Sequence, residues 1–221
     1  ALLVNELKKN KPKSNIKFVK YYHKKNIINK IKNDYFKNLN NLKNLNFIFA
    51  LSNKFKFKNK IIFKVINSFK GLKYRQEIIF KGKKLMIIND SKSTSFSSTK
   101  NLLQSYENIY WIVGGKFKKG DKFILKQNYY KNIKAYIYGK NNNFFVKKFK
   151  NKINYKVFKN ISQTLIKITK DIKKNNLYPA NILFSPSAAS FDQFKNFEER
   201  GNYFNLIIAK LRVIKKINNA K

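Results

Sequence analysis

From Asn40 to Asn53 the apolar residues Leu42, Leu45, Phe49 and Ala50 recur three and four apart, the repeat of one helical face. Ile61, Ile62, Val65 and Ile66 predict a second helix, and Gly71 breaks the pattern. After Tyr74 the pattern changes to short apolar runs between longer amphipathic stretches. Strands are predicted at 75–80, 84–88, 109–113, 133–138 and 180–184, and helices near 94–105, 141–149, 158–174 and 191–217. Strands alternating with helices predict an α/β fold with a mostly parallel, Rossmann-like sheet covered on both faces. Ligands in such sheets lie at the carboxyl ends of the strands. Asp90, Gly114 and Ser185 fall at that edge. Residues 1–38 are rich in Lys and Asn, and Ile16 to Tyr21 reads as a strand.

Composition narrows the class. Hydrophobic residues at 43% and aromatics at 16% are ample for a packed core, so disorder is not expected. The 221 residues suffice for one large or two small domains. No apolar run is long enough to span a bilayer, and no leader is visible. The absence of cysteine excludes disulfides and fits a cytoplasmic protein. The net charge of +40 points first to nucleic acid. However, Arg75, Arg200 and Arg212 are the only arginines, whereas recognition of bases and phosphates favours Arg. The lysines are also spread along the whole chain. A solvated surface explains them better, and no specific nucleic acid or membrane partner is expected.

The richest segment is Ser185 to Gly201, SPSAASFDQFKNFEERG, which follows the buried run Ile182-Leu183-Phe184. Ser190 with Gln193 three residues on has capping-box spacing, and it sets the start of the last predicted helix at residue 191. A strand, a small-residue turn and a helix start present free N–H groups to an anion. Upstream, Leu85 to Ile88 runs into Asn89-Asp90-Ser91-Lys92-Ser93-Thr94. Tyr110 to Val113 runs into Gly114-Gly115-Lys116-Phe117-Lys118. Phe69-Lys70-Gly71-Leu72-Lys73-Tyr74-Arg75 and Asn40-Asn41-Leu42-Lys43-Asn44 complete the set.

Taken in order, these segments resemble the Mur ligase family, whose motifs read HN-x-x-N, F-x-GLPHR, NDSKATN, GG-x-x-K and SPACASFDQFKNFEERG. The resemblance spans residues 40 to 201. It implies a domain boundary near Gly71. Residues 1–73 would be the end of an α/β central ATP-binding domain, and 74–221 a C-terminal, D-glutamate-binding domain. It also implies the chemistry: ATP phosphorylates a carboxylate of UDP-N-acetylmuramoyl-L-alanine, and the amine of D-glutamate attacks the acyl phosphate, an amide-forming step of peptidoglycan synthesis. Carried over position by position, Asp90 and Lys92 are catalytic. Thr94, Lys118, Ser190, Phe191 and Phe197 hold D-glutamate. Asn41, Asn44, Arg75 and Asp90 hold ATP. The expected state is a cytoplasmic monomer.

The chain departs from those motifs in places. Asn40 and Tyr74 replace histidines, Lys73 replaces a proline, and Ser187-Ala188 replaces Ala-Cys. No G-x-x-x-x-G-K-[ST] occurs in the 221 residues, so no phosphate cradle of that type is present. The resemblance places the Mg²⁺ ligands upstream as well, and no metal ligand is assigned here. His23, the lone histidine, matches no motif. These 221 residues are therefore expected to be inactive by themselves. The alternatives are a basic α/β nucleic-acid binder and a non-functional remnant of a ligase.

Overall fold

The computed structural model describes residues 29–37, 39–211 and 217. The expected strand at 16–21 and His23 lie outside them, as does the side chain of Asn40.

A 3₁₀ turn, Asp34–Lys37, leads into α1 (Leu39–Lys54) and α2 (Asn59–Ser68). Phe36, Leu45, Phe49, Ile62 and Ile66 meet in a small core of their own. The helical repeat predicted Leu45, Phe49, Ile62 and Ile66 for this role. The opposite face stays bare: Phe47, Leu51, Phe55, Ile61 and Val65 are all more than half exposed.

From Glu77 onward the chain builds one six-stranded sheet. Its strands are β1 (Glu77–Lys81), β2 (Leu85–Asn89), β3 (Ile109–Gly114), β4 (Ile133–Tyr138), β5 (Asn154–Phe158) and β6 (Ala180–Phe184). The spatial order is β1-β2-β6-β3-β4-β5. Only β1 runs antiparallel, paired with β2. β6 returns between β2 and β3, parallel to both, so the connections diverge around it. A crevice at such a switch point is where an open α/β sheet binds ligands.

The helices between the strands cover both faces. α3 (Phe96–Leu103) and α4 (Asn142–Phe149) pack on one, α5 (Ile161–Asn175) and α6 (Phe197–Lys210) on the other. β3 shows the strand period: Ile109, Trp111 and Val113 enter the first core, Tyr110 and Ile112 the second. Phe96 joins Trp111, Phe123, Phe144, Phe145 and Phe149 in edge-on and stacked ring contacts. Each fully buried ring of this kind stabilises by about 1.5–3 kcal/mol.

Two sequence expectations need correction. β5 is a strand where none was predicted. It lies at the sheet edge with Lys156 and Val157 exposed, so one-sided burial leaves little alternation to read. The last helix begins at Phe197, not at 191. The Ser190–Gln193 spacing forms a turn instead, in which Gln193 N donates to Ser190 O at 3.1 Å. The helix is capped six residues later by the same spacing, Asn196 and Glu199. Asn196 Oδ1 accepts from Glu199 N at 2.7 Å, and Glu199 Oε2 accepts from Lys195 N at 2.7 Å.

Candidate functional site

Segments that follow β2, β3 and β6 are tied to one another at the carboxyl edge of the sheet. Asp90 N donates to Phe184 O at 2.7 Å, which joins the end of β2 to the end of β6. Gly114 N donates to Pro186 O at 3.1 Å. Lys116 and Ala189 exchange backbone hydrogen bonds at 2.9 and 3.0 Å. Glycine is required at this crossing. Gly114 and Gly115 have φ of +153° and +125°, and a Cβ on Gly115 would lie 2.5 Å from Ala189 O. The loop carrying Lys118 is pinned a second time, because Phe96 N donates to Asp121 Oδ2 at 2.8 Å. Lys118 therefore stands between an anchor on the Ser190 loop and an anchor at the start of α3, next to Thr94.

Arg200, on α6, locks these segments from beneath. It is completely buried. Its Nε donates to Ser91 Oγ at 3.1 Å, Nη2 to Ser91 O at 2.6 Å, and Nη1 to Ala188 O at 2.9 Å. Ser91 Oγ in turn donates to Phe197 O at 2.8 Å. A planar fork with several donors suits this cross-link, and a lysine would leave carbonyls unpaired. The motif reading gave Arg200 no role. The available signal was its rarity: in a chain that otherwise uses lysine, an arginine marks a place where the fork matters.

Asp90 is buried beside it. Its Oδ1 accepts from Gln76 N at 3.1 Å, and its Oδ2 accepts from Ser185 Oγ at 2.7 Å. Burial pushes its carboxyl up to about 7, although the Ser185 and Gln76 hydrogen bonds and the charges of Arg75 and Arg200 oppose the rise. Behind Ser185 lies a set of buried hydroxyls. Thr99 Oγ1 is 2.7 Å from Ser185 Oγ, 2.7 Å from Ser187 Oγ and 2.6 Å from Ser93 Oγ. The sequence reading named none of Thr99, Ser93, Ser185 or Ser187 as a site residue, since a lone hydroxyl carries no spacing signal.

The other expected site residues divide by exposure. Lys92, Thr94 and Lys118 are exposed at the carboxyl edge, and Ser190 is buried there. The Lys92 ammonium lies 4.8 Å from the Phe197 ring centre, a cation–π contact. Phe191 is 70% exposed. The N-cap of α3 is Ser95, not Thr94: its hydroxyl accepts from Ser98 N, which leaves the Thr94 side chain clear of helix capping. On the other side, Arg75 is exposed and acts electrostatically on Asp90. Asn41 is buried, with its amide donating to Tyr35 O at 2.8 Å. Asn44 is exposed and lines an apolar groove of about 660 Å³ with Tyr35, Phe36, Phe69 and Leu72. Tyr74, in place of a motif histidine, is buried and donates to Asn202 Oδ1 at 2.6 Å.

Among the described residues no group of three or more His, Cys, Asp or Glu could hold a metal. No described helix is long and apolar enough to cross a membrane.

The fold is similar to that of Mur ligases. By structure the chain is similar to MurF from Acinetobacter baumannii, with a TM-score of 0.54 and 15% identity over 79% of this chain and 37% of that one. It is also similar to UDP-N-acetylmuramate-alanine ligase MurC from Thermotoga maritima, with a TM-score of 0.51 and 14% identity over 78% and 38%. At these identities the likeness shows the fold. In sequence, about two thirds of the chain is homologous to UDP-N-acetylmuramoylalanine–D-glutamate ligases. That of Wolbachia sp. subsp. Brugia malayi is 39% identical over 148 residues, 66% of this chain and 29% of the relative. That of Rickettsia felis is 38% identical over 143 residues, 65% and 32%. The match thus spans about a third of the length of these relatives. No family model matches the chain.

Proposed function

We propose that residues 74–221 bind D-glutamate at the carboxyl edge of the sheet. There its amine would be held for attack on an acyl phosphate of UDP-N-acetylmuramoyl-L-alanine, a step of peptidoglycan synthesis, while residues 1–73 form the end of the ATP-binding domain. The observation that carries this reading is the backbone pairing of Lys116 with Ala189. It brings the Gly-Gly turn and the Ser190 loop, two motifs distant in sequence, to one edge.

D-glutamate brings two carboxylates and an amine. Lys118 and Lys92 are exposed cations at this edge, and the Thr94 and Ser190 hydroxyls are donors. Lys92 is held by the ring of Phe197, so its ammonium needs little reordering to meet an anion. Fixing the amine at the acyl carbon converts an encounter in solution into an oriented one, a large part of the rate gain in such reactions. ATP, when bound, supplies the phosphoryl group that activates the carboxylate. On this side Arg75 and Asn44 are the exposed residues placed for its charge and its adenine. Asp90 would accept from a ribose hydroxyl with lone pairs that Gln76 and Ser185 leave free. No phosphate cradle occurs in these residues, so by themselves they should not hydrolyse ATP.

The test uses a ligase polypeptide carrying these residues. Lys118→Ala should raise KM for D-glutamate about ten- to a hundred-fold, the loss of a charge-assisted contact. Lys118→Arg should restore part of it. An unchanged KM in the alanine variant would refute the assignment.

A further inference from the structure

The hydroxyls behind Asp90 obey a counting rule. A hydroxyl gives one proton and accepts two. Thr99 Oγ1 has Ser93, Ser185 and Ser187 within 2.7 Å, so it is saturated only if it donates to one and accepts from the others. When Asp90 is ionised, Ser185 must donate to Oδ2. Thr99 must then donate to Ser185, so its lone pairs are left for Ser187 and for Ser93, whose hydroxyl also lies 2.7 Å from Ser98 Oγ. The protons along the line from Ser187 through Thr99 and Ser185 then all point toward the carboxylate. If Asp90 is protonated through Oδ2, the Ser185–Thr99 link reverses, and Thr99 then accepts from only one of Ser93 and Ser187. The ionised arrangement is the one in which the cluster polarises in a single direction. Ser93 and Ser187 both stand where the motifs quoted above carry alanine, and they lie on different loops, yet their hydroxyls converge on one atom. Ser187 is held at φ +56°, an uncommon conformation for a residue with a side chain, while it makes this contact.

We propose that Thr99 is a positioning residue for Asp90. It is the branch point through which Ser93 and Ser187 turn the Ser185 hydroxyl onto Oδ2 and hold the carboxylate in one donor-loaded orientation. The charged and titratable groups that act on Asp90 come from separate elements: Arg75 before β1, Arg200 on α6 and Tyr35 in the 3₁₀ turn. None of them is altered in the variants below, so their effects cancel in the comparison. The inference takes from the proposed function only that Asp90 serves as an acceptor.

The measurement is the carbon-13 carboxyl titration of Asp90 in the whole chain. Thr99→Val keeps the shape and removes the branch point, and should raise the Asp90 pKa by about half a unit to one unit. Thr99→Ser should return it to the parent value. The Ser93→Ala and Ser187→Ala double variant should shift it the same way by a smaller amount. A folded Thr99→Val chain with an unchanged or lowered Asp90 pKa overturns the proposal, as does failure of Thr99→Ser to restore it. Should Thr99→Val not fold, the double variant decides: a rise supports the proposal, and no change overturns it. The readout is Asp90 itself, so a chain that fails to bind D-glutamate would leave this result standing.

Discussion

Replacing Asp90 with asparagine should make the chain more stable at alkaline pH. The carboxyl titrates near 7 in the folded protein, because burial outweighs Ser185, Gln76 and the two arginines. In the unfolded chain it titrates near its ordinary value of about 4. A folded-state pKa raised above the unfolded one favours the native state fully below about pH 4, and that contribution is lost as pH rises through about 7. Three units at about 1.4 kcal/mol each give a ceiling of about 4 kcal/mol. Asparagine cannot ionise, and its Oδ1 can still accept from Gln76 N. Ser185 can turn to accept from the new amide and donate to Thr99. Parent and Asp90→Asn chains should therefore be close in stability near pH 4, and the variant should lead by about 2–4 kcal/mol near pH 8. Taking the difference removes every other titration, including that of Asp171. Its carboxyl is pushed up by burial, but Lys156, Lys167 and Tyr136 pull it down to about 2. Urea unfolding can be followed by fluorescence of Trp111, the sole tryptophan, which is fully buried with its indole N–H on Ser185 O. A difference between the two chains that does not change with pH, or one that favours the parent as pH rises, would refute the argument.

Two further outcomes follow from the charge distribution and the bare helices. With lysines spread over the surface, DNA affinity should be independent of sequence and fall steeply with added salt; tight, sequence-selective binding at physiological salt would favour the nucleic-acid reading instead. Amides before Gly71 should exchange quickly with solvent and those in β2, β3, β4 and β6 slowly, because α1 and α2 share only a small core while the sheet is covered on both faces; uniform protection would contradict that division.

The legible parts of the fold were those in which burial leaves a period. Strands β2, β3, β4 and β6 have continuous apolar runs because both of their faces are covered, and α1 and α2 show the helical repeat of Leu45, Phe49, Ile62 and Ile66. β5 was hidden because an edge strand with Lys156 and Val157 in water has no reason to alternate. The start of α6 was misplaced because two capping spacings lie six residues apart, and only packing decides which one opens the helix. In the site, the motifs marked the residues that face outward, Lys92, Thr94 and Lys118, together with the loops that carry them. They did not mark what stands behind: Arg200 crossing three segments, and Thr99 joining serines from separate loops. Such residues act through contacts between distant parts of the chain, which spacing along one strand or helix does not record.

The central claim is that the carboxyl edge of this sheet recognises D-glutamate. The most direct measurement is a titration of the isotope-labelled chain with D-glutamate, followed by amide chemical shifts, with L-glutamate as the control. The expected result is weak, saturable shifts confined to residues 92–94, 114–121 and 185–191, smaller with L-glutamate and lost in Lys118→Ala. Shifts spread over the lysine-rich surface, equal for the two enantiomers and unchanged by Lys118→Ala, would contradict the account.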